Sequence, residues 1–204
     1  MKLWETFIRR TFGRYLTDEV LEELLNDSNG LRIGGERREV TILISDIRQS
    51  TELSEKMDPV SFFRMLNHYF EEMIEIINAW RGNILDFVGD SIVAVFGAPK
   101  PNELSARDAT ACAVAMQRRM KAVNEWNLSQ EYPEISMGIG IHTGEAILGN
   151  IGSMTRAKYD MIGRDVNRLP VSRALQKAAR FWSQTRPWPP QAAWSWKTKP
   201  EPYS

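Results

Sequence analysis

Two aspartates in this 204-residue chain stand in closely similar settings. Asp46 follows the run Glu39-Val-Thr-Ile-Leu-Ile-Ser, and Asp90 lies within Asp86-Phe-Val-Gly-Asp-Ser-Ile-Val-Ala-Val-Phe96. Runs of β-branched residues bounded by charge read as strands, which places each carboxylate where a core meets solvent. Gly89-Asp90 between two apolar runs is a hairpin signal, because a tight turn needs positive φ. Carboxylates on adjacent strands are hard oxygen donors suited to divalent cations, and a pair of such cations suits phosphoryl chemistry on a nucleotide.

The elements that must position these acids follow from periodicity. A strand over 39–45 precedes a long helix opened by Asp58-Pro59, the cap and first-turn proline in their preferred order. Phe63, Leu66, Phe70, Met73, Ile74 and Ile77 recur along it at helical spacing, the mark of a core stripe. A hairpin is expected over 83–96, then a helix over 105–126 with Ala109, Cys112, Ala113, Met116 and Met120 on one side, then strands over 135–142 and 158–162. This order predicts an α+β, ferredoxin-like βαββαβ sheet with helices on one face. In that arrangement the first strand lies beside the hairpin, so Asp46 and Asp90 become neighbours. Ahead of the domain, residues 1–29 read as a helical lead-in capped at Thr17 with a narrow stripe of Val20, Leu21, Leu24 and Leu25, and residues 30–38 as a polar linker.

Composition excludes several classes. Lysine plus arginine and aspartate plus glutamate number 26 each, but 19 of the bases and 25 of the acids precede Arg168, and a mildly acidic body argues against a nucleic-acid surface. An RNA-binding sheet would also show exposed aromatics and bases, whereas these strands carry aspartates and aliphatics. The single cysteine, Cys112, falls in an apolar-periodic stretch and reads as a buried thiol. No apolar run approaches the roughly 18 residues of a membrane span, so a soluble, cytoplasmic chain is expected.

Four segments in order now carry a family resemblance: Glu36-Arg-Arg-Glu-Val-Thr-Ile-Leu-Ile-Ser-Asp46-Ile-Arg, Phe87-Val-Gly-Asp90-Ser-Ile-Val-Ala-Val-Phe-Gly, Gly138-Ile-Gly-Ile-His-Thr-Gly144-Glu and Lys158-Tyr-Asp-Met-Ile-Gly-Arg-Asp-Val-Asn167. Together they resemble the catalytic domain of class III adenylate and guanylate cyclases, placed here at 39–167. The resemblance implies that the 3′-hydroxyl of a nucleoside triphosphate attacks its own α-phosphorus and expels pyrophosphate. It implies that Asp46, Asp90 and the backbone carbonyl of Ile47 bind two Mg²⁺ or Mn²⁺ ions, and that Asp86 and Asp160 read the purine. Asn167 matches the residue that orients the ribose. The strand-to-helix turn near Ser50 and Thr51 offers amides to phosphates. A homodimer is implied, the metal acids of one protomer meeting the base-reading residues of the other.

This sequence also departs from the pattern. Asp86 stands where adenylate cyclases carry lysine and is closer in charge to the glutamate of guanylate cyclases, so ATP is the first substrate reading and GTP the alternative. Val171 stands where the family has a transition-state arginine, which opens a second class: a catalytically dead, nucleotide-binding or regulatory relic. The 37 residues from Arg168 hold Trp182, Trp188, Trp194, Trp196 and six prolines with no helix or strand period. A shifted reading frame after Asn167 would account for that tail; a divergent Trp/Pro interaction segment is the alternative.

Overall fold

The structure is a computed structural model describing residues 33–153 and 155–163. The expected lead-in over 1–29, Asn167 and the Trp/Pro-rich tail lie outside the described residues.

Five antiparallel strands form one sheet: β1 (Gly34–Ile47), β2 (Asn83–Val88), β3 (Ser91–Phe96), β4 (Met137–Ser153) and β5 (Arg156–Ile162), in the order β2-β3-β1-β4-β5. The first four strands are those of a ferredoxin-like sheet, with β5 added at the edge beyond β4. Helices α1 (Ser50–Lys56), α2 (Pro59–Ala79) and α3 (Ser105–Ser129) complete the described elements. The Asp58 side chain caps α2 by accepting from the Ser61 amide at 3.0 Å.

Period-2 alternation splits β1 between two cores. Leu43 and Ile47 join Met65, Tyr69, Met73 and Ile77 of α2 and Ala109, Cys112, Met116 and Val123 of α3. Val40, Ile42 and Ile44 point the other way, into a second cluster with Leu85, Val93, Val95, Ala146, Leu148 and Met161. Burial pushes the Cys112 thiol up to about 12, in keeping with a structural core cysteine.

Three expectations need correction. Residues 34–38 are strand rather than linker, because Gly34–Arg38 pair with Ala146–Asn150 and their polar side chains can stay exposed while the backbone is satisfied. The strand expected over 135–142 begins at Met137 and continues through the glycine-rich stretch to Ser153, held by β1 on one side and β5 on the other. Gly149 packs so tightly that an added Cβ would lie 2.0 Å from the Gly34 carbonyl oxygen, so its missing side chain permits close strand contact. On α2 the buried stripe is Met65, Tyr69, Met73, Ile76 and Ile77, while Phe63 is 65% exposed. A ring one helical position off the stripe cannot reach the sheet.

Candidate functional site

The β2–β3 hairpin turns through Gly89 and Asp90 alone, since Val88 pairs with Ser91. Gly89 takes φ 65 and Asp90 does not take a positive φ, the pattern of a turn with glycine at its first central position. This turn delivers Asp90 to the end of β1. There the Ile47 amide donates to Asp90 Oδ2 at 3.0 Å, and Ser91 Oγ donates to Asp46 Oδ1 at 3.0 Å. The two aspartates are therefore held as neighbours by reciprocal links, each reaching across to the other's strand end. Asp46 is 8% exposed and lies on the face turned away from the helices, the same side as Val40, Ile42 and Ile44. Its cross-strand partner is Gly138. The Arg48 guanidinium lies over that glycine, where a Cβ would come within 2.2 Å of it.

Beneath this end, Tyr69 is fully buried with its hydroxyl 3.3 Å from Ser45 Oγ, and it donates to Met137 Sδ at 3.0 Å. Burial, followed by the nearby Asp90 and Asp46 carboxylates, raises its pKa despite the Ser45 hydrogen bond, so the phenol stays protonated. His68 stacks on Trp126 with ring centroids 4.0 Å apart, a packing role between α2 and α3.

Ser50 and Thr51 open α1 directly after Gln49, which has φ 58 and provides no side-chain cap. Their amides thus stand at an uncapped helix start four and five residues past Asp46.

Asp86 and Asp160 lie on β2 and β5, the opposite edges of the sheet. Four strand intervals would separate them by about 19 Å in a flat sheet. The sheet is far from flat. The outer half of β4 with β5 curls back over the open face, so that Met161 and Tyr159 pack on the cluster containing Leu85 and Val93. A bulge between Ile84 and Asp86 completes the meeting. It pairs Asp86 with Val93, on the open face, whereas Ile84 pairs with Ala94 and Phe87 with Ile92, both on the helix face. Lys158 closes the gap: its Nζ donates to Asp86 Oδ2 at 2.7 Å and stands 3.3 Å from Asp160 Oδ2. Partial burial lowers the Lys158 pKa, but the Asp86 hydrogen bond and the two carboxylates outweigh it and the net shift is upward.

The structure thus groups the expected residues in two places, Asp46, Ile47 and Asp90 at one strand end with Ser50 and Thr51 just beyond, and Asp86 with Asp160 under the curled arm. Sequence reasoning missed Ser91 and Lys158 as partners. The signals were present, since Ser91 directly follows Asp90 and Lys158 shares a strand face with Asp160 two residues on.

The model of the Adenylate and Guanylate cyclase catalytic domain matches residues 35–179 of this chain. The chain belongs to that family. The match runs past Asn167 into the stretch that lacks helix and strand periodicity. Adenylate cyclase 1 of Rhizobium meliloti (strain 1021) is 33% identical to this cyclase domain over 157 residues, covering 77% of the chain and 24% of the relative. The chain therefore spans about a quarter of the length of the curated relatives it matches. The crystal structure of the guanylyl cyclase Cya2 is 43% identical with a TM-score of 0.65, covering 66% of this chain and 68% of that one. That of the adenylyl cyclase CyaB from P. aeruginosa is 35% identical with a TM-score of 0.63, covering 66% and 70%. Among the described residues no helix is long and apolar enough to cross a membrane.

Proposed function

We propose that this cyclase domain converts ATP to 3′,5′-cyclic AMP and pyrophosphate, and the observation that carries the reading is the interlocked placement of Asp46 and Asp90 at one sheet end. Two carboxylates and a backbone carbonyl at Ile47 form a hard oxygen set. Among the described residues no third His, Cys, Asp or Glu joins them into a closed cage. That sparse set fits Mg²⁺ or Mn²⁺, which keep waters and take further oxygens from substrate phosphates. When bound, two such ions would lower the pKa of the attacking hydroxyl and offset charge on the triphosphate and departing pyrophosphate.

The protein's own residues do the positioning. Ser91 fixes one oxygen of Asp46 and the Ile47 amide fixes one oxygen of Asp90, so neither carboxylate must be ordered when substrate arrives. The uncapped amides at Ser50 and Thr51 meet the phosphates, and Asp86 and Asp160 take the base. Asn167 orients the ribose. The new bond joins O3′ to the α-phosphorus, the bond to the bridging oxygen breaks, and pyrophosphate leaves.

The active form is a homodimer with two equivalent sites. Ile147 and Ile162, cross-strand partners on the outer face of the β4–β5 arm, are 47% and 46% exposed and supply an apolar patch for a second copy. Light scattering of the purified chain is expected to give about twice 23.4 kDa.

A reduced or absent turnover is favoured by one observation, Val171 at the position of the family's transition-state arginine. Loss of such a donor costs roughly 10²–10³-fold in rate. The test is cyclic product formed by purified protein with Mn²⁺ and either ATP or GTP, beside Asp46→Ala. Slow formation of cyclic AMP, abolished in the variant, supports the enzyme. Nucleotide binding without product above the variant supports the relic, and cyclic GMP alone would replace ATP with GTP.

A further inference from the structure

Two carboxylates make a poor reader of any purine. Ionised, Asp86 and Asp160 only accept hydrogen bonds, whereas the Watson–Crick edge of adenine presents an amino donor at N6 beside an acceptor at N1. Guanine presents a carbonyl acceptor at O6 beside donors at N1 and N2. Either base would leave an acceptor facing an acceptor, and an unmatched buried acceptor costs affinity.

The missing donor is already between them. We propose that Lys158 is a base-reading residue of this site, its ammonium donating to N1 of adenine while Asp160 accepts from the N6 amino group. Its Nζ lies 2.7 Å from Asp86 Oδ2 and 3.3 Å from Asp160 Oδ2, so the cluster runs acceptor, donor, acceptor. That order complements donor, acceptor and the weakly polarised C–H of adenine at N6, N1 and C2. Guanine in the same pose would set O6 against the Asp160 carboxylate and its N1–H against the ammonium. The arrangement rejects it by repulsion as well as by lost bonds.

Several further features support a lysine that meets ligand instead of acting as a surface ion pair. Its side chain is 47% exposed, so the lysine is open to approach from solvent, while Asp160 is only 17% exposed. The Met161 amide donates to Asp160 Oδ1 at 2.8 Å and the Phe87 amide to Asp86 Oδ1 at 2.9 Å. Each carboxylate is thereby anchored through one oxygen and presents the other to the lysine. The bulge at Ile84/Asp86 and the curl of the β4–β5 arm both act to bring these three side chains to one place. An ammonium also has three donors, enough to keep one carboxylate while turning another hydrogen to a base.

The assignment rests on the nucleotidyl cyclase reading, and its test is binding rather than turnover. Equilibrium dialysis with Mg²⁺ measures the dissociation constants of ATP, GTP and 1-deaza-ATP, which lacks N1, for the full chain. Wild type is expected to bind ATP roughly tenfold more tightly than 1-deaza-ATP, the scale of one charged hydrogen bond. Lys158→Met should weaken ATP about as much and leave 1-deaza-ATP unchanged, and Lys158→Arg should restore most of the difference. Equal affinity of wild type for ATP and 1-deaza-ATP overturns the role of Lys158 whatever the variants do, and leaves the cyclase reading standing. Discrimination that survives in a folded Lys158→Met protein overturns it too. A wild type that binds none of the three nucleotides overturns both.

Discussion

Asp46 and Asp90 are held by a neighbouring hydroxyl and a backbone amide at a strand end and the two-residue turn beside it, whereas Asp86 and Asp160 meet only through a lysine reaching between opposite edges of the sheet. The first pair is assembled by local chain geometry, a two-residue turn and a strand end. The second depends on a long arm curling over and docking on an apolar cluster. The proposed metal end should therefore be the stiffer half, and the proposed base end the half on which arm packing, and with it substrate choice, can act.

Breaking the arm's seat separates the two halves most strongly. Met161 is 6% exposed within the cluster, so Met161→Ala is expected to lower stability by about 2–4 kcal/mol in urea unfolding. In the protein that remains folded, ATP affinity should fall while Mn²⁺ affinity holds. Parallel loss of both would show that the halves are not independent.

A smaller effect is expected at the metal end. Ser91→Ala removes the hydroxyl donated to Asp46, with a cost of about 1 kcal/mol in stability and a drop in Mn²⁺ affinity without change in ATP discrimination over 1-deaza-ATP. Unchanged Mn²⁺ binding would mean that Asp46 needs no such anchor.

The smallest effect concerns pH. The Lys158 pKa is raised in the folded state, so its contribution is complete below the ordinary lysine value of about 10.4 and is lost as pH rises through the higher folded value. Because the side chain is half exposed and screened, the contribution is below about 1 kcal/mol. Unfolding free energies at about pH 9 and about pH 11 should diverge by that amount more in wild type than in Lys158→Met. An equal decline in both proteins would remove the ion pair from the account.

What was legible in the sequence follows the same division. The alternation of Val40, Ile42 and Ile44 with Leu43, and Gly89-Asp90 between apolar runs, are local signals, and with the βαββαβ element order they place Asp46 and Asp90 side by side. The extent of β4 was hidden, because its glycines at 144, 149 and 152 interrupt strand periodicity until the backbone of β1 and β5 is there to pair with them. The stripe of α2 was misplaced toward Phe63, since several apolar residues surround the true line through Met65, Tyr69 and Met73. Lys158 escaped notice because its partner Asp86 lies 72 residues away and reaches the same face only through a bulge. Nothing in periodicity announces a bulge.

In the proposed mechanism Asp46 and Asp90 form the metal half of the cyclase site and Asp86 belongs to the other half. Mn²⁺ titration followed by electron paramagnetic resonance, on wild type, Asp46→Asn and Asp86→Asn in the presence of ATP, tests it directly. Asp46→Asn is expected to lose at least roughly tenfold in Mn²⁺ affinity while Asp86→Asn binds Mn²⁺ as wild type does. Wild-type Mn²⁺ binding by a folded Asp46→Asn protein would contradict it.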